Sequence, residues 1–135
     1  MSFVFTITLA PENALSHEDL RRWHPTDSQI ELHLSKSMFP KQSTVLSVEK
    51  RGQGSQGLLT DNADPETKFW DIKSDLLPDL VKMLKVLREN TKSCFTLEAY
   101  WFGKRSSEQV RISIEELARL VEQGKIGTRA NFLVC

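Results

Sequence analysis

The chain has 135 residues, and its 18 lysine and arginine residues balance 18 aspartate and glutamate residues, so the formal net charge is zero. This balance excludes a general electrostatic attraction to nucleic acid or to an anionic membrane, although it permits a local basic patch. The apolar run near residue 1 has no basic residues before it and is far too short to span a bilayer, so no membrane association is expected. A hydrophobic fraction of 39% is typical of a single globular domain over residues 1–135.

The two cysteines, Cys94 and Cys135, form no Cys-x-x-Cys motif. Because the sequence also shows no secretion signal, we expect both side chains to be reduced thiols in a cytoplasmic protein.

The first half of the chain alternates short strands with one helix. Residues 3–9 (FVFTITL) alternate apolar and polar side chains, which predicts a strand. Ser16 is a candidate N-cap for a short helix over residues 15–24. Residues 29–35 and 44–50 alternate again, and they predict an antiparallel pair joined by a long hairpin loop. In this pair the outward-facing side chains include Glu31, His33 and Glu49.

A G-x-G-x-x-G spacing follows the third predicted strand at Gly52, Gly54 and Gly57. A dinucleotide site with this spacing needs a helix directly after the glycines, so that the helix N-terminus faces the phosphates. Asn62 and Pro65 oppose such a helix. We therefore predict that residues 51–67 form a mobile surface loop, which the apolar residues 58 and 59 hold against the core.

The second half predicts a strand at 68–73, a helix over 74–91 with Pro78 in its first turn, and a β-hairpin made by 94–102 and 109–114. A helix beginning near Ser113 and ending at Gly124 follows, and a strand at 128–134 comes last. The predicted order is β-α-β-β-β-α-β-β-α-β. It predicts an α+β fold with a mostly antiparallel sheet and helices packed on one face.

The predicted hairpin defines a candidate recognition surface. Pairing Trp101 with Val110 places the apolar residues of both strands on one face, and it sets Tyr100 opposite Arg111 on the other. The outward face then carries Glu98, Tyr100, Phe102, Arg111, Arg129 and Asn131. Aromatic and arginine side chains are enriched in recognition surfaces, so we expect these six residues to contact a protein partner. The alternative is that Tyr100 and Arg111 form an ordinary cross-strand pair.

Other functions have less support in the sequence. A nucleic acid partner is disfavoured because AYWFGKR (99–105) departs from the ribonucleoprotein motif of RNA-binding sheets. No catalytic motif is present, and neither a cofactor nor a metal is expected. One alternative is an enzyme or small-ligand binder with a cleft, and a metal site there would use His17, His24 and His33. Another is a homodimer that buries the aromatic face against itself or pairs edge strands.

In layout, the second half of the chain resembles small bacterial α+β proteins of unknown function, some of which are immunity proteins that bind a cognate toxin. The resemblance covers FWDIKS, the amphipathic helix after it, LEAYWF and ISIEELARL. It implies a stand-alone, non-enzymatic binding protein. The first half departs from this pattern, and no functional residue is carried over.

Overall fold

The computed structural model describes residues 3–13, 18, 28–34, 44–61, 63, 66 and 68–135. This part contains six β-strands, two α-helices and three short 3-10 helices. The strands and helices are β1 (Phe3–Leu9), β2 (Ile30–Leu34), β3 (Thr44–Lys50), α1 (Leu77–Glu89), β4 (Phe95–Trp101), β5 (Val110–Ile112), α2 (Ile114–Glu122) and β6 (Arg129–Val134). The helix predicted over residues 15–24 lies outside the described residues, apart from Glu18.

The six strands form a single sheet in the order β2-β3-β1-β4-β6-β5. β5 and β6 run parallel, and the other neighbouring strands are antiparallel. The buried residues of α1 and α2 join the apolar side of this sheet in one hydrophobic core. The predicted α+β fold with a mostly antiparallel sheet is therefore confirmed. Neither α1 nor α2 is long and apolar enough to cross a membrane, and the rest of the described chain contains no such helix.

The strict alternation of β1 explains how the sheet acquires an inner and an outer face. Phe3, Phe5, Ile7 and Leu9 are all buried, whereas the residues between them are partly exposed. Successive side chains of a strand point to opposite faces, so every second residue of β1 enters the core. Removing a side chain such as Phe5 from water contributes about 1.5 to 3 kcal/mol, so each of the four buried residues of β1 adds substantially to stability.

The ends of α1 and α2 lie close to the residues that the sequence predicts for them. The Ser113 side chain accepts a hydrogen bond from the backbone N–H of Glu116, so Ser113 is the N-cap of α2. Gly124 follows that helix with a φ of 66°, a left-handed conformation that glycine adopts without steric cost. Pro78 lies in the first turn of α1, where its missing N–H leaves no hydrogen bond unmade.

The predicted hairpin between β4 and β5 is wrong. β6 lies between the two strands, and it pairs antiparallel with β4 and parallel with β5. Tyr100 is consequently opposite Arg129, and Arg111 is opposite Leu133. The alternation had specified which side chains face inward, but it carries no information about which strand is the neighbour. Parallel strands need a crossover connection, and α2 provides it between β5 and β6.

The expectation of two reduced thiols is also wrong, since Cys94 and Cys135 form a disulfide with their Cα atoms 4.5 Å apart. The pairing of β4 with β6 places Phe95 opposite Val134, so the two cysteines flank the last pair of the ladder. A disulfide requires this kind of proximity, and a separation of 41 residues hides it in the sequence.

The connection after β3 contains more local structure than the sequence indicates. Gly52 and Gly54 adopt positive φ angles of 78° and 68°, and a four-residue 3-10 helix, Ser55–Leu58, follows. Leu58 and Leu59 are buried, which confirms that this connection is held against the core. Residues 68–73 do not form the predicted continuous strand, because they make only isolated bridges, from Phe69 to Gly127 and from Leu59 to Ile72.

Candidate recognition surface

The face of the sheet opposite the core is called the outer face here. Two of its cross-strand pairs lie on β4 and β6, where Tyr100 is opposite Arg129 and Glu98 is opposite Asn131. Leu133 continues the same face and is opposite Arg111 on the edge strand β5. The structure therefore brings Tyr100 and Arg129 together, while Arg111 lies farther along β6 than the predicted register implied.

A sharp turn at the end of β4 projects Phe102 into solvent. The backbone N–H of Lys104 donates to the Trp101 carbonyl over 2.8 Å, and Gly103 has a φ of 86°. This is the pattern of a type II turn, which requires a positive φ at its third residue and therefore favours glycine there. Phe102 occupies the second position of the turn and is 72% exposed. An aromatic side chain fixed in this way is a candidate anchor for a protein partner.

After this turn, the return segment, 104–109, runs back across the outer face. Asn131 donates from its side-chain amide to the Ser106 carbonyl over 3.1 Å. Gln109 donates to the Asn131 side-chain oxygen over 3.2 Å and to the Thr96 hydroxyl over 3.3 Å. Asn131, which the sequence places among the predicted partner contacts, thus holds this segment in place.

Glu98 is likewise engaged within the protein. Arg105 of the return segment donates from Nε and Nη2 to the two carboxylate oxygens of Glu98, over 2.5 and 2.7 Å. Glu98 is only 5% exposed as a result, although it faces outward as predicted. Bidentate arginine–carboxylate pairs of this kind are strong and geometrically specific. This pair was not predicted, because nothing in GKRSSE indicates that the loop folds back over the sheet.

The ion pair affects Arg105 in turn. The hydrogen bonds that Arg105 donates to Glu98, together with the negative charge of that carboxylate, raise the pKa of Arg105 above its ordinary value. Because this pKa is raised in the folded protein, the ion pair stabilises the fold fully at any pH below the ordinary pKa of arginine. The stabilisation is lost only when the pH rises through the raised pKa of Arg105. Arg105 therefore keeps its positive charge in this contact throughout the physiological pH range.

The other end of the outer face is acidic. Glu31 on β2 is directly opposite Glu49 on β3, an arrangement of like charges that is unfavourable by itself. The His33 side chain lies between the two carboxylates, with Nε2 3.3 Å from a Glu31 oxygen and 3.8 Å from a Glu49 oxygen. The alternation of both strands predicts that these three side chains point outward, but nothing in the sequence indicates that they cluster.

The cleft predicted from the histidines is not assembled in the described part of the chain. His17 and His24 lie outside the described residues. Within those residues, no three histidine, cysteine, aspartate or glutamate side chains are arranged to hold a metal ion. The alternative enzyme or ligand-binding function stays a prediction.

Comparison with protein-family models, with curated proteins and with solved structures finds no match to this chain. Function is therefore inferred from the outer face alone.

Proposed function

We propose that the chain is a non-enzymatic binding protein that recognises a polypeptide partner through the outer face of its sheet. One observation carries this proposal. Phe102, which is 72% exposed, projects from a fixed turn at the end of β4, next in sequence to the strand that carries the Tyr100–Arg129 pair. The few residues that dominate the binding energy of protein interfaces are enriched in tryptophan, tyrosine and arginine.

The return segment supports the same proposal because it prepares the surface before binding. Hydrogen bonds from Asn131, Gln109 and Arg105 fix the segment on the sheet. Ordering a loop or a side chain during association costs about 0.5 to 1.5 kcal/mol for each group immobilised. A surface that is already ordered avoids much of that cost.

The narrower proposal, an immunity-type protein of bacterial origin, rests on the resemblance of the second half of the chain in layout. The cytoplasmic location also stays a proposal. Its premise was that both cysteines are reduced, and the Cys94–Cys135 disulfide removes that premise, because disulfides persist mainly in oxidising compartments.

A photo-crosslinking experiment tests the proposed function. Phe102 is replaced by a photoreactive phenylalanine analogue in the full chain, which is then irradiated in cells that express it. The matched control carries the same analogue at Lys85, an exposed position on α1, away from the outer face. We expect a discrete adduct at Phe102 and none at Lys85. Loss of the adduct on adding Arg129→Glu, with unchanged folding, would assign binding to the face.

Equal adducts at both positions would show that the surface has no selectivity. The absence of an adduct at Phe102 would contradict the proposed function.

A further inference from the structure

The return segment leaves one end of the sheet open. It engages Glu98 and Asn131, which are opposite each other within β4 and β6. The next pair on the same face, Tyr100 with Arg129, lies where β4 ends and β6 begins, and Arg129 is exposed. Phe102 projects from the turn just beyond this pair. This end of the outer face is therefore accessible to a partner.

A second segment extends the sheet at this end. Two backbone hydrogen bonds of 2.8 and 3.1 Å join residues 68–70 to residues 126–128, directly before β6. Trp70 is buried in the core, and Phe69 beside it is 37% exposed. Because neighbouring side chains of an extended segment point to opposite faces, the burial of Trp70 turns Phe69 towards the face that carries Arg129. Phe69 therefore adds a second aromatic ring to the accessible end.

Three basic side chains lie around this end. The Lys68 Nζ atom is 5.3 Å from the centre of the Phe69 ring. Lys104 follows the turn at the end of β4, and Arg129 begins β6. Among the described residues, neither Lys68 nor Arg129 forms an ion pair. The aromatic–basic patch is defined as Phe69, Phe102, Lys68, Lys104 and Arg129.

The carboxylates near the aromatic–basic patch are engaged within the protein. Glu98 is paired with Arg105, and a Glu66 oxygen lies 3.7 Å from the Lys104 Nζ atom. Asp71, next in sequence to the buried tryptophan, accepts a hydrogen bond of 2.7 Å from a threonine hydroxyl. The two cations without a carboxylate partner therefore give the patch an excess of positive charge, although the whole chain is neutral.

We propose that the polypeptide recognised at this end is an acidic segment, whose carboxylates contact the cations of the patch and whose apolar side chains pack against its two phenylalanines. The inference rests on the proposed function and adds the chemistry of the partner. Complementary charge steers a partner to its site and suppresses binding of partners with the wrong charge. Exposed aromatic rings supply the apolar contact that charge alone lacks, and phenylalanine is enriched in protein interfaces.

The charge distribution favours a short acidic segment over a nucleic acid. Domains that bind nucleic acid through a long row of phosphates are typically strongly basic, with an isoelectric point above about 9. This chain has an isoelectric point of about 6.8. Glu31 and Glu49 lie on β2 and β3, at the other side of the outer face, and would repel a polyanion that extends across the sheet. A short acidic segment contacts the patch without reaching these carboxylates.

Selection from a random library of short peptides displayed on phage, with the oxidised full chain as the target, tests the chemistry of the partner without a prior choice of sequence. We expect the selected peptides to combine aspartate and glutamate with leucine, isoleucine or aromatic residues. The peptides are then synthesised with a fluorescent label, and fluorescence anisotropy measures their dissociation constants. Affinity should fall between about 0.1 and 1 M salt, because the screening length shortens from about 10 to 3 Å.

Two variants of the patch locate the binding site. Lys68→Glu with Arg129→Glu should weaken binding of the selected peptides by about tenfold or more, because it replaces two attractive contacts by repulsive ones. Phe102→Ala should weaken it by about tenfold through the loss of apolar contact. The matched control, Lys82→Glu with Lys85→Glu on the exposed face of α1, makes the same change in net charge and should bind like the wild type. Circular dichroism and thermal melting establish that each variant folds.

Selected peptides without an excess of acidic residues, or peptides whose binding neither patch variant weakens, would overturn the inference. A selection that yields no peptide would also overturn it. The photo-crosslinker at Phe102 tests the proposed function separately, because an adduct to a polypeptide that is not acidic would leave that function standing. A labelled single-stranded oligonucleotide that binds more tightly than the peptides, and that loses affinity in the Lys68→Glu/Arg129→Glu variant, would assign the patch to nucleic acid instead.

Discussion

Breaking the Cys94–Cys135 disulfide is expected to lower the free energy of unfolding by about 4 kcal/mol. The bond joins residues 41 positions apart in the sequence. In the chain-entropy model, the cross-link removes loop-closure entropy from the unfolded state, and a loop of this length corresponds to about 13 cal/mol/K, or about 4 kcal/mol at 25 °C. The stabilisation therefore acts mainly on the unfolded chain.

The native structure should survive this loss. A chain of this length has a total stability of roughly 7 to 20 kcal/mol, so roughly 3 to 16 kcal/mol remains after reduction. β6 also keeps its backbone pairing with β4 and β5 when the covalent bond is gone. We expect the far-ultraviolet circular dichroism in the absence of denaturant to be unchanged.

Urea unfolding of the oxidised protein, the reduced protein and the Cys94→Ala/Cys135→Ala variant measures the effect. The free energy of unfolding falls with urea concentration at a slope of about 2 kcal/mol/M. The urea concentration at the midpoint of unfolding should therefore be lower by about 2 M in both disulfide-free forms. The slope should rise, since the unfolded chain without the cross-link exposes more surface. Adding reductant to the double variant is the control, and it should change nothing.

A midpoint shift below about 0.5 M would refute the reasoning, because it would mean that the unfolded chain is not constrained by the bond. Two free thiols in the protein as isolated from cells, counted by alkylation and mass spectrometry, would show that the disulfide does not form there.

Four substitutions, of which Gly127→Ala is a control, test local features of the fold by urea unfolding. Arg105→Ala should cost about 1 to 2 kcal/mol, because it leaves the buried Glu98 carboxylate without its partner, although water reaches the exposed arginine side and reduces the penalty. Gly124→Ala should cost about 1 kcal/mol because of its positive φ, whereas Gly127→Ala, with an ordinary φ and no close contact, should cost less than half as much. Ser113→Ala should cost about 1 kcal/mol, since it removes the N-cap of α2.

Equal costs at the two glycines would contradict the conformational argument for Gly124. An Arg105→Ala variant as stable as the wild type would show that Glu98 is hydrated when unpaired. A Ser113→Ala variant with unchanged stability would mean that water replaces the hydrogen bond of the N-cap.

Patterns that depend on neighbouring residues were readable from the sequence. The alternation of β1, the start of α2 near Ser113 and its end at Gly124 each involve a few consecutive positions, and each is confirmed. The outward positions of Arg129 and Asn131 follow from the same kind of pattern in β6.

Features that depend on long-range pairing were not readable. The alternation of residues 94–102 and 109–114 fits a hairpin as well as it fits the observed arrangement, in which β6 separates the two strands. The disulfide and the Glu98–Arg105 pair were missed for the same reason, since both depend on where distant or irregular segments come to lie. Of the predicted surface, Tyr100 and Arg129 are neighbours, but Glu98 and Asn131 are held by the return segment.

The position of β6 has a consequence for protein synthesis. β4 and β5 leave the ribosome before β6, yet each needs β6 as its partner in the finished sheet. At about 5 to 20 residues per second, β4 therefore waits roughly 2 to 7 seconds with one edge unpaired. An unpaired strand edge is a template for association with other chains. The period before residues 129–134 emerge is thus the time at which a nascent chain is most exposed to aggregation, and at which a chaperone that covers strand edges would have its greatest effect.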